Sequence, residues 1–423
     1  MGKHILITSI TSWNQRAGSN TFSTLFERFD SADLANLYVR PEIPDSPVCS
    51  RYFNIREWLV VRSIFKRGTS TGLEVKRQEY SSVNDLSKEQ NKDRFFSKNR
   101  KRIYLWLREI AWLLGKWKSK ELDDFLKDFK PEVLFFPIES YPYFNRINEY
   151  IIKCCKPKKV IGYLWDDNFT YKQHPYNIFH RIERYFLRKQ VRALVANCTN
   201  VLAISPKMKE ECDREFGIDS ILLTKPICEQ SEFVPYIPGD PIRMLYTGKL
   251  IIGRDKTIVE VVKAIQKVNA NGQKVILDIY TNTELSKNMK QKIEIPGCCQ
   301  LHAPVSQQDV LKLQKDADIL LFVESMSNRD LTARLSFSTK LTDYFSAGKC
   351  IWAIGNRDLG PISYIESEKA GLVSWDKESI ERVLSSMAEN PTLVTEYAKC
   401  AADCGKKNHD KGIIEERLMD IMR

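Results

Sequence analysis

No apolar run in this 423-residue sequence approaches the roughly 20 residues a helix needs to span a bilayer. The N-terminal stretch MGKHILITSI has one lysine and an apolar run too short for a signal sequence, and no small-residue cleavage site. Position 6 is Leu6, where N-myristoylation would require a hydroxyl residue. The expected location is therefore cytoplasmic, with peripheral contact to the inner face of the membrane if something holds the chain there. No CxxC pair occurs, the Cys400/Cys404 pair has no nearby histidine cluster, and the eleven cysteines are scattered and odd in number. Free thiols in a reducing compartment are expected, and no zinc site. Internal repeats and low-complexity segments are also missing.

What is present is a globular composition with a basic bias. Hydrophobic residues make up 43% and charged residues 28%, and the formal charge of +11 calls for an acidic partner: nucleic acid, anionic lipid or a phosphorylated small molecule. The length suits two domains. KHILITSI reads as a buried first strand, followed by a loop carrying Gly18 and a helix over NTFSTLFERF. That order resembles the opening of a nucleotide-binding α/β unit, supported by a single glycine. NLYVR, VLFFPI, VIGYLW, NVLAISP and ILLTKP are further short apolar runs with helical patterns between them. Pro235, Pro238, Gly239 and Pro241 then interrupt regular structure. A second series runs from IRMLYTGKL through KVILDIYT, QLHAPV, DILLFVE, CIWAIG and GLVSW. The alternation predicts two α/β domains, 1–238 and 239–405, each with a mostly parallel sheet covered on both faces. A last amphipathic helix is expected in 406–423, in a position to cross back to the first domain.

Residues 336–355, SFSTKLTDYFSAGKCIWAIG, are the most informative stretch. Ser338 and Thr339 suit a helix N-cap, Leu341, Tyr344 and Phe345 form an apolar stripe, and Gly348 would end the helix before a buried strand, CIWAIG. At the helix start, backbone N–H groups, two hydroxyls and the Lys340 ammonium converge on one spot and favour an anion. Asp343 lies one turn on, where a carboxylate can accept from vicinal sugar hydroxyls. An ordinary capped helix with a solvated lysine and aspartate has the same pattern. A second basic site follows the first strand of the second domain. There TGKLIIGRDKT places Lys249, Arg254 and Lys256 at a strand end and a helix start, which suits a diphosphate. In the first domain LWDDNFTYKQH offers Asp166, Asp167 and His174 past a strand end. The two carboxylates could hold sugar hydroxyls, orient a nucleophile, or simply cap a loop.

Residues 92–120 differ from both domains, with ten lysines and arginines against only Asp93 and Glu109. Ile103, Leu107, Ile110 and Leu114 share one helical face, and Trp106, Trp112 and Trp117 lie in the same stretch. A helix of this make-up suits an anionic membrane surface; a core-facing helix with solvated ends is the alternative. Nucleic acid is not expected, because no helix-turn-helix, RNA-recognition or zinc pattern accompanies the charge.

TGK…GRDK, VSQQDVLKLQKDADILLFVES and FSTKLTDYFSAGKCIWAIG, in that order, resemble successive signatures of the family 4 glycosyltransferases, in particular those of bacterial surface polysaccharide assembly. HRIERYFLRKQVRALVANCTNVLAISPKMKEECDREFG resembles them more loosely. The resemblance implies a GT-B fold of two Rossmann-like domains with a cleft between them. It implies a nucleoside-diphosphate-sugar donor on the second domain, a lipid-linked or oligosaccharide acceptor on the first, transfer with retention, and no metal ion or other cofactor. Carried over by residue, Lys249 stands where the family usually has arginine, Lys256 matches its diphosphate-binding lysine, and Asp343 matches the second acid of a glutamate pair, which resembles a ribose-binding carboxylate. The first acid of that pair falls on Leu335, and Glu324 is the candidate to take its role.

The expected donor site is thus Lys249, Arg254, Lys256, Glu324, Ser338, Thr339, Lys340 and Asp343, with Gly18 on the first domain. The expected catalytic groups are Lys256, Asp166 and Asp167. Two other readings stay open: a sugar-nucleotide epimerase of the same fold, and a donor-binding subunit of an assembly complex that has lost catalysis, which Leu335 keeps in play.

Overall fold

The computed structural model describes residues 3–13, 21–77, 102–174, 176–227, 232–329 and 331–423; Gly18 and residues 92–101 of the basic stretch lie outside them. The first sheet contains β1 (Ile5–Ser9), β2 (Leu34–Tyr38), β3 (Arg51–Ile55), β4 (Gly72–Val75), β5 (Val133–Pro137), β6 (Lys159–Leu164), β7 (Asn200–Ala203) and β8 (Ile221–Leu222). Its order is β4-β3-β2-β1-β5-β6-β7-β8, parallel except for the antiparallel β3–β4 pair at one edge. Every residue of β1, β2 and β5 is buried, which is what near-continuous apolar runs must do when helices cover both faces of a sheet. Those helices are α1 (Thr21–Leu25), α2 (Glu57–Phe65), α3 (Arg102–Leu114), α4 (Lys120–Phe129), α5 (Pro142–Cys155), α6 (Ile178–Asn197) and α7 (Pro206–Phe216).

The second sheet is parallel throughout, in the order β11-β10-β9-β12-β13-β14. Its strands are β9 (Ile242–Thr247), β10 (Val275–Tyr280), β11 (Cys299–His302), β12 (Ile319–Val323), β13 (Cys350–Ile354) and β14 (Leu372–Ser374). Its helices are α8 (Arg254–Val268), α9 (Lys287–Ile293), α10 (Gln307–Asp316), α11 (Thr339–Ala347), α12 (Gly360–Ser367), α13 (Lys377–Glu389) and α14 (Thr392–Asn408). The strand order reverses beside β1 in one sheet and beside β9 in the other. At each reversal the connections leave on opposite faces and open a crevice beyond the strands' carboxyl ends.

A last helix, α15 (Lys411–Met422), lies against the first domain. Arg417 Nη1 donates to Leu222 O at 3.1 Å, Lys159 Nζ donates to Ile421 O at 3.0 Å, and Ile414 and Leu418 are buried. His409 marks the turn into it, fully buried between Tyr364 Oη at 2.8 Å and Lys225 O at 3.0 Å and stacked on Phe337 and Phe345. Burial pushes this imidazole down from 6.5 to about 4.

The sequence reading differs from the structure in several places. RYFNI and GLEV form β3 and β4, the LTKP of ILLTKP, the ISP of NVLAISP and the APV of QLHAPV are not strand, and α1 ends at Leu25, short of the expected Phe29. Within 102–120 the expected stripe does not face the core: Ile103, Leu107, Ile110 and Leu114 are 50 to 64% exposed. Trp112, stacked on Tyr143 at 4.6 Å, and Trp117 take the buried side instead, and Arg108 is anchored to Glu57 at 2.6 Å. The ten described cysteines are free.

Candidate active site

The second domain's crevice lies between β9 and β12. β9 ends in Gly248, whose φ of 145° and missing Cβ matter because a Cβ there would collide with Lys340 Nζ. Gly253, at φ 80°, is the N-cap of α8, so this helix begins with no side-chain cap. The first residue of α8, Arg254, reaches across the crevice to Glu324 just beyond β12, donating from Nε at 3.0 Å and from Nη2 at 2.7 Å. Glu324 is nearly fully buried and is tied to β13 by its own N–H, which donates to Ile354 O at 2.8 Å.

Helix α11 supplies the opposite wall. Its N-cap, Ser338, makes no side-chain cap bond, so the N–H groups of its first turn are not closed off by a hydroxyl. The Lys340 ammonium lies 5.0 Å from the centre of the Tyr246 ring, beside Arg254. Burial, and then the neighbouring guanidinium, push it down from 10.5 to about 8. Two cations, Arg254 and Lys340, stand here with two carboxylates, Glu324 and Asp343, and with two helix starts that have no side-chain cap, so it is the backbone N–H groups of the first turns that favour an arriving anion. Asp343 lies one turn along; burial raises its carboxyl, against the opposing pull of Lys225 and Lys340. No side-chain contact joins the other expected donor lysines, Lys249 and Lys256, to this group among the described residues. Thr339 opens α11, whereas Lys249 and Lys256 are exposed.

The segment between β12 and α11 joins this edge to the first domain. Leu331 N donates to Gln173 O and Gln173 Nε2 donates to Thr332 O, both at 3.0 Å, and Ser205 Oγ donates to Leu335 O at 2.9 Å. Arg334 is paired with Glu211. Leu335 itself is fully buried in the first domain's apolar core, so the side chain at this position packs and does not face the crevice.

On the first domain, Asp166 and Asp167 diverge. Asp167 is buried and bound into its own loop, accepting from Thr170 N at 2.9 Å and from the Thr170 hydroxyl, with Arg334 4.0 Å away. Asp166 keeps accessible surface and accepts a hydrogen bond from Ser336 of the second domain; desolvation at its position raises the carboxyl, the Ser336 bond opposes this, and the neighbouring Asp167 carboxylate adds to the rise. Beside it, one strand over, stands Glu139, pushed up to about 8 by burial and then by the Asp166 carboxylate. Sequence reasoning missed Glu139 and Lys225. The available signal was a charged side chain placed immediately after a buried apolar run, VLFFPI in one case and ILLT in the other. A cleft of about 1020 Å³ lies between His174, Tyr176, Asn177 and Ile178 of the first domain and Ser327, Asn328 and Arg329 of the second.

No family model and no curated protein matches the sequence. Solved structures do match it along nearly the whole chain. The sucrose-phosphate synthase of Thermosynechococcus elongatus is 12% identical with a TM-score of 0.63, covering 100% of this chain and 98% of its own. The lipopolysaccharide outer core galactosyltransferase WaaB is 13% identical with a TM-score of 0.60, covering 100% and 99%. Anabaena HepE in complex with UDP and glucose is 8% identical with a TM-score of 0.57, covering 99% and 98%. With the two sheets described above, this likeness identifies the fold as GT-B, two Rossmann-like domains facing each other across a cleft.

Proposed function

We propose that this chain is a glycosyltransferase that moves a hexose-type sugar from a nucleoside diphosphate to an acceptor, with retention of configuration and without a metal ion. One observation carries the reading: Arg254, Glu324, Lys340 and Asp343 converge at the carboxyl-end crevice of the second sheet, the kind of position at which open α/β sheets bind ligands. The diphosphate lies between Arg254 and Lys340, with Lys249 and Lys256 on the rim and the first turns of α8 and α11 donating N–H groups. These groups stabilise the charge that develops on the leaving diphosphate. Asp343 accepts from sugar hydroxyls of the donor. Asp166 and Glu139 face the acceptor, and the acceptor's nucleophilic hydroxyl loses its proton to the departing phosphate. Asp167 braces the loop that presents Asp166.

A lipid-linked or oligosaccharide acceptor, a role in surface polysaccharide assembly, and peripheral attachment to the cytoplasmic face of the membrane complete the proposal. They are supported by the basic, apolar character of 102–120. The test is to incubate the chain with nucleoside-diphosphate sugars, with and without a bacterial lipid extract, in EDTA. Acceptor-dependent release of nucleoside diphosphate is expected, with the donor's anomeric configuration kept in the product. Release of a new sugar nucleotide without acceptor would replace the reading with epimerisation.

A further inference from the structure

The helices α3 and α6 of the first domain flank one groove and are joined where Trp106 Nε1 donates to Glu183 at 2.7 Å. Their outer faces are apolar and open. Ile103, Trp106, Leu107, Ile110, Leu113 and Leu114 of α3 are 48 to 64% exposed, and Ile178, Phe179, Ile182, Tyr185 and Phe186 of α6 are 49 to 65% exposed. An apolar surface of this extent on a globular domain marks a place where something else binds.

The exposed charges on and beside the two helices are mostly basic. Arg181 and Lys189 are exposed on α6, Arg192 is exposed there and paired with Glu215 at 2.8 Å, and Lys116 and Lys118 are exposed just beyond α3. The carboxylates of the two helices turn inward, Glu183 to Trp106 and Glu109 to Arg146 at 3.0 Å. A basic rim around an apolar face complements an anionic amphiphile, which presents charge at one level and hydrocarbon just below it.

Between the two helices runs a groove of about 590 Å³ whose lining mixes apolar side chains, Trp106, Pro142, Phe186 and Leu187, with charged ones, Glu109, Glu183 and Arg184. His174 lines both this groove and the cleft shared with Asn328 and Arg329 of the second domain, so the two spaces meet at that residue. A wholly polar acceptor would leave the apolar side chains against water, whereas a molecule with a polar head and a hydrocarbon chain suits both kinds of lining.

We infer that the groove between α3 and α6 holds the hydrocarbon chain of a lipid-linked acceptor, with its polar head at His174 in the interdomain cleft and the two helix faces resting on an anionic lipid surface. This rests on the glycosyltransferase reading and narrows its acceptor to the lipid-linked class.

The test uses n-alkyl β-glucosides from methyl to decyl, below their micelle concentrations, titrated into the full chain. Uridine, guanosine and adenosine diphosphates are titrated in parallel. Affinity for the glucosides should rise about fourfold per buried CH₂ until the groove is filled. Phe186→Glu places a charge in the groove at a side chain 65% exposed, so the fold tolerates it. It should abolish the chain-length dependence and leave nucleoside-diphosphate binding unchanged. Affinity that ignores chain length, or a dependence that survives Phe186→Glu, overturns the inference. So does a stable dimer that Phe186→Glu dissociates, which would assign this face to a second copy of the chain. Failure of all three nucleoside diphosphates to bind while chain-length dependence persists would remove the donor reading and leave the groove a lipid site.

Discussion

Arg254 holds Glu324 by two hydrogen bonds, 3.0 Å and 2.7 Å long, across the point where β9 and β12 part. This pair closes the floor of the crevice, with Glu324 nearly fully buried. Removing the cation alone strands a buried carboxylate.

Arg254→Ala should therefore lower stability by about 3 kcal/mol, and Arg254→Ala with Glu324→Gln should recover most of it, as read from urea unfolding midpoints. Nucleoside-diphosphate affinity should stay reduced roughly tenfold to a hundredfold in both, because a charge-assisted donor to the diphosphate is missing in both. Recovery of binding together with stability would make Arg254 structural only.

The Lys340 ammonium titrates near 8 in the free protein because it is buried beside Arg254. A bound diphosphate favours the charged form, so binding takes up a proton once the free lysine is neutral. Affinity should be level below about pH 8 and fall up to about tenfold per pH unit above it. Calorimetry at pH 9 in buffers of different ionisation enthalpy reads the proton directly, and Lys340→Arg should flatten the profile.

Glu139 keeps its proton to about pH 8 when folded, whereas the unfolded chain releases it near 4.5. The folded state therefore holds the extra proton in this window. Its contribution is complete below about 4.5 and is lost as pH rises through about 8. Glu139→Gln mimics the neutral acid and should remove that slope from the unfolding free energy measured between pH 5 and 8.

His409 has the opposite sign. It is neutral between Tyr364 and Lys225 with a value near 4, against 6.5 when unfolded, so its contribution is present above 6.5 and lost as pH falls through about 4. On the order of 3 kcal/mol should disappear over this range through this one group. His409→Asn should be less stable at pH 7 and less sensitive to acid, as measured by thermal unfolding at both ends of the range.

Asp166 keeps accessible surface and accepts a hydrogen bond from Ser336 of the second domain. Asp166→Asn should lower transfer at least about tenfold while leaving nucleoside-diphosphate affinity intact, since the carboxylate belongs to the acceptor side.

The fold was legible where apolar runs alternate with helix starts. CIWAIG, DILLFVE and VLFFPI each became fully buried strands because their residues could satisfy backbone and side chains only inside a parallel sheet. RYFNI was not legible, since its arginine and asparagine break the apolar run; Arg51 is held by Glu74 and Asp128, and Asn54 donates to Tyr38 O and Arg40 O. The candidate site could be proposed as far as local chemistry reaches, from the glycine, lysine and arginine after β9 to the hydroxyl-rich start of α11. The pairing of Arg254 with Glu324 could not, because it joins residues 70 apart in sequence through the crossing of two strands. Leu335 illustrates the same limit. Its side chain reads as a lost acid within its own segment, and only the packed interface reveals it as a plug in the first domain's core.

The central claim is that the carboxyl edge of the second sheet binds a nucleoside diphosphate through Arg254 and Lys340. Titration calorimetry of uridine, guanosine and adenosine diphosphates against the full chain and against Lys340→Ala tests it most directly. The account predicts that at least one of the three binds and that Lys340→Ala weakens it by about tenfold or more, with the fold unchanged by circular dichroism. Binding of equal strength in both proteins, or no binding by any of the three, would contradict it.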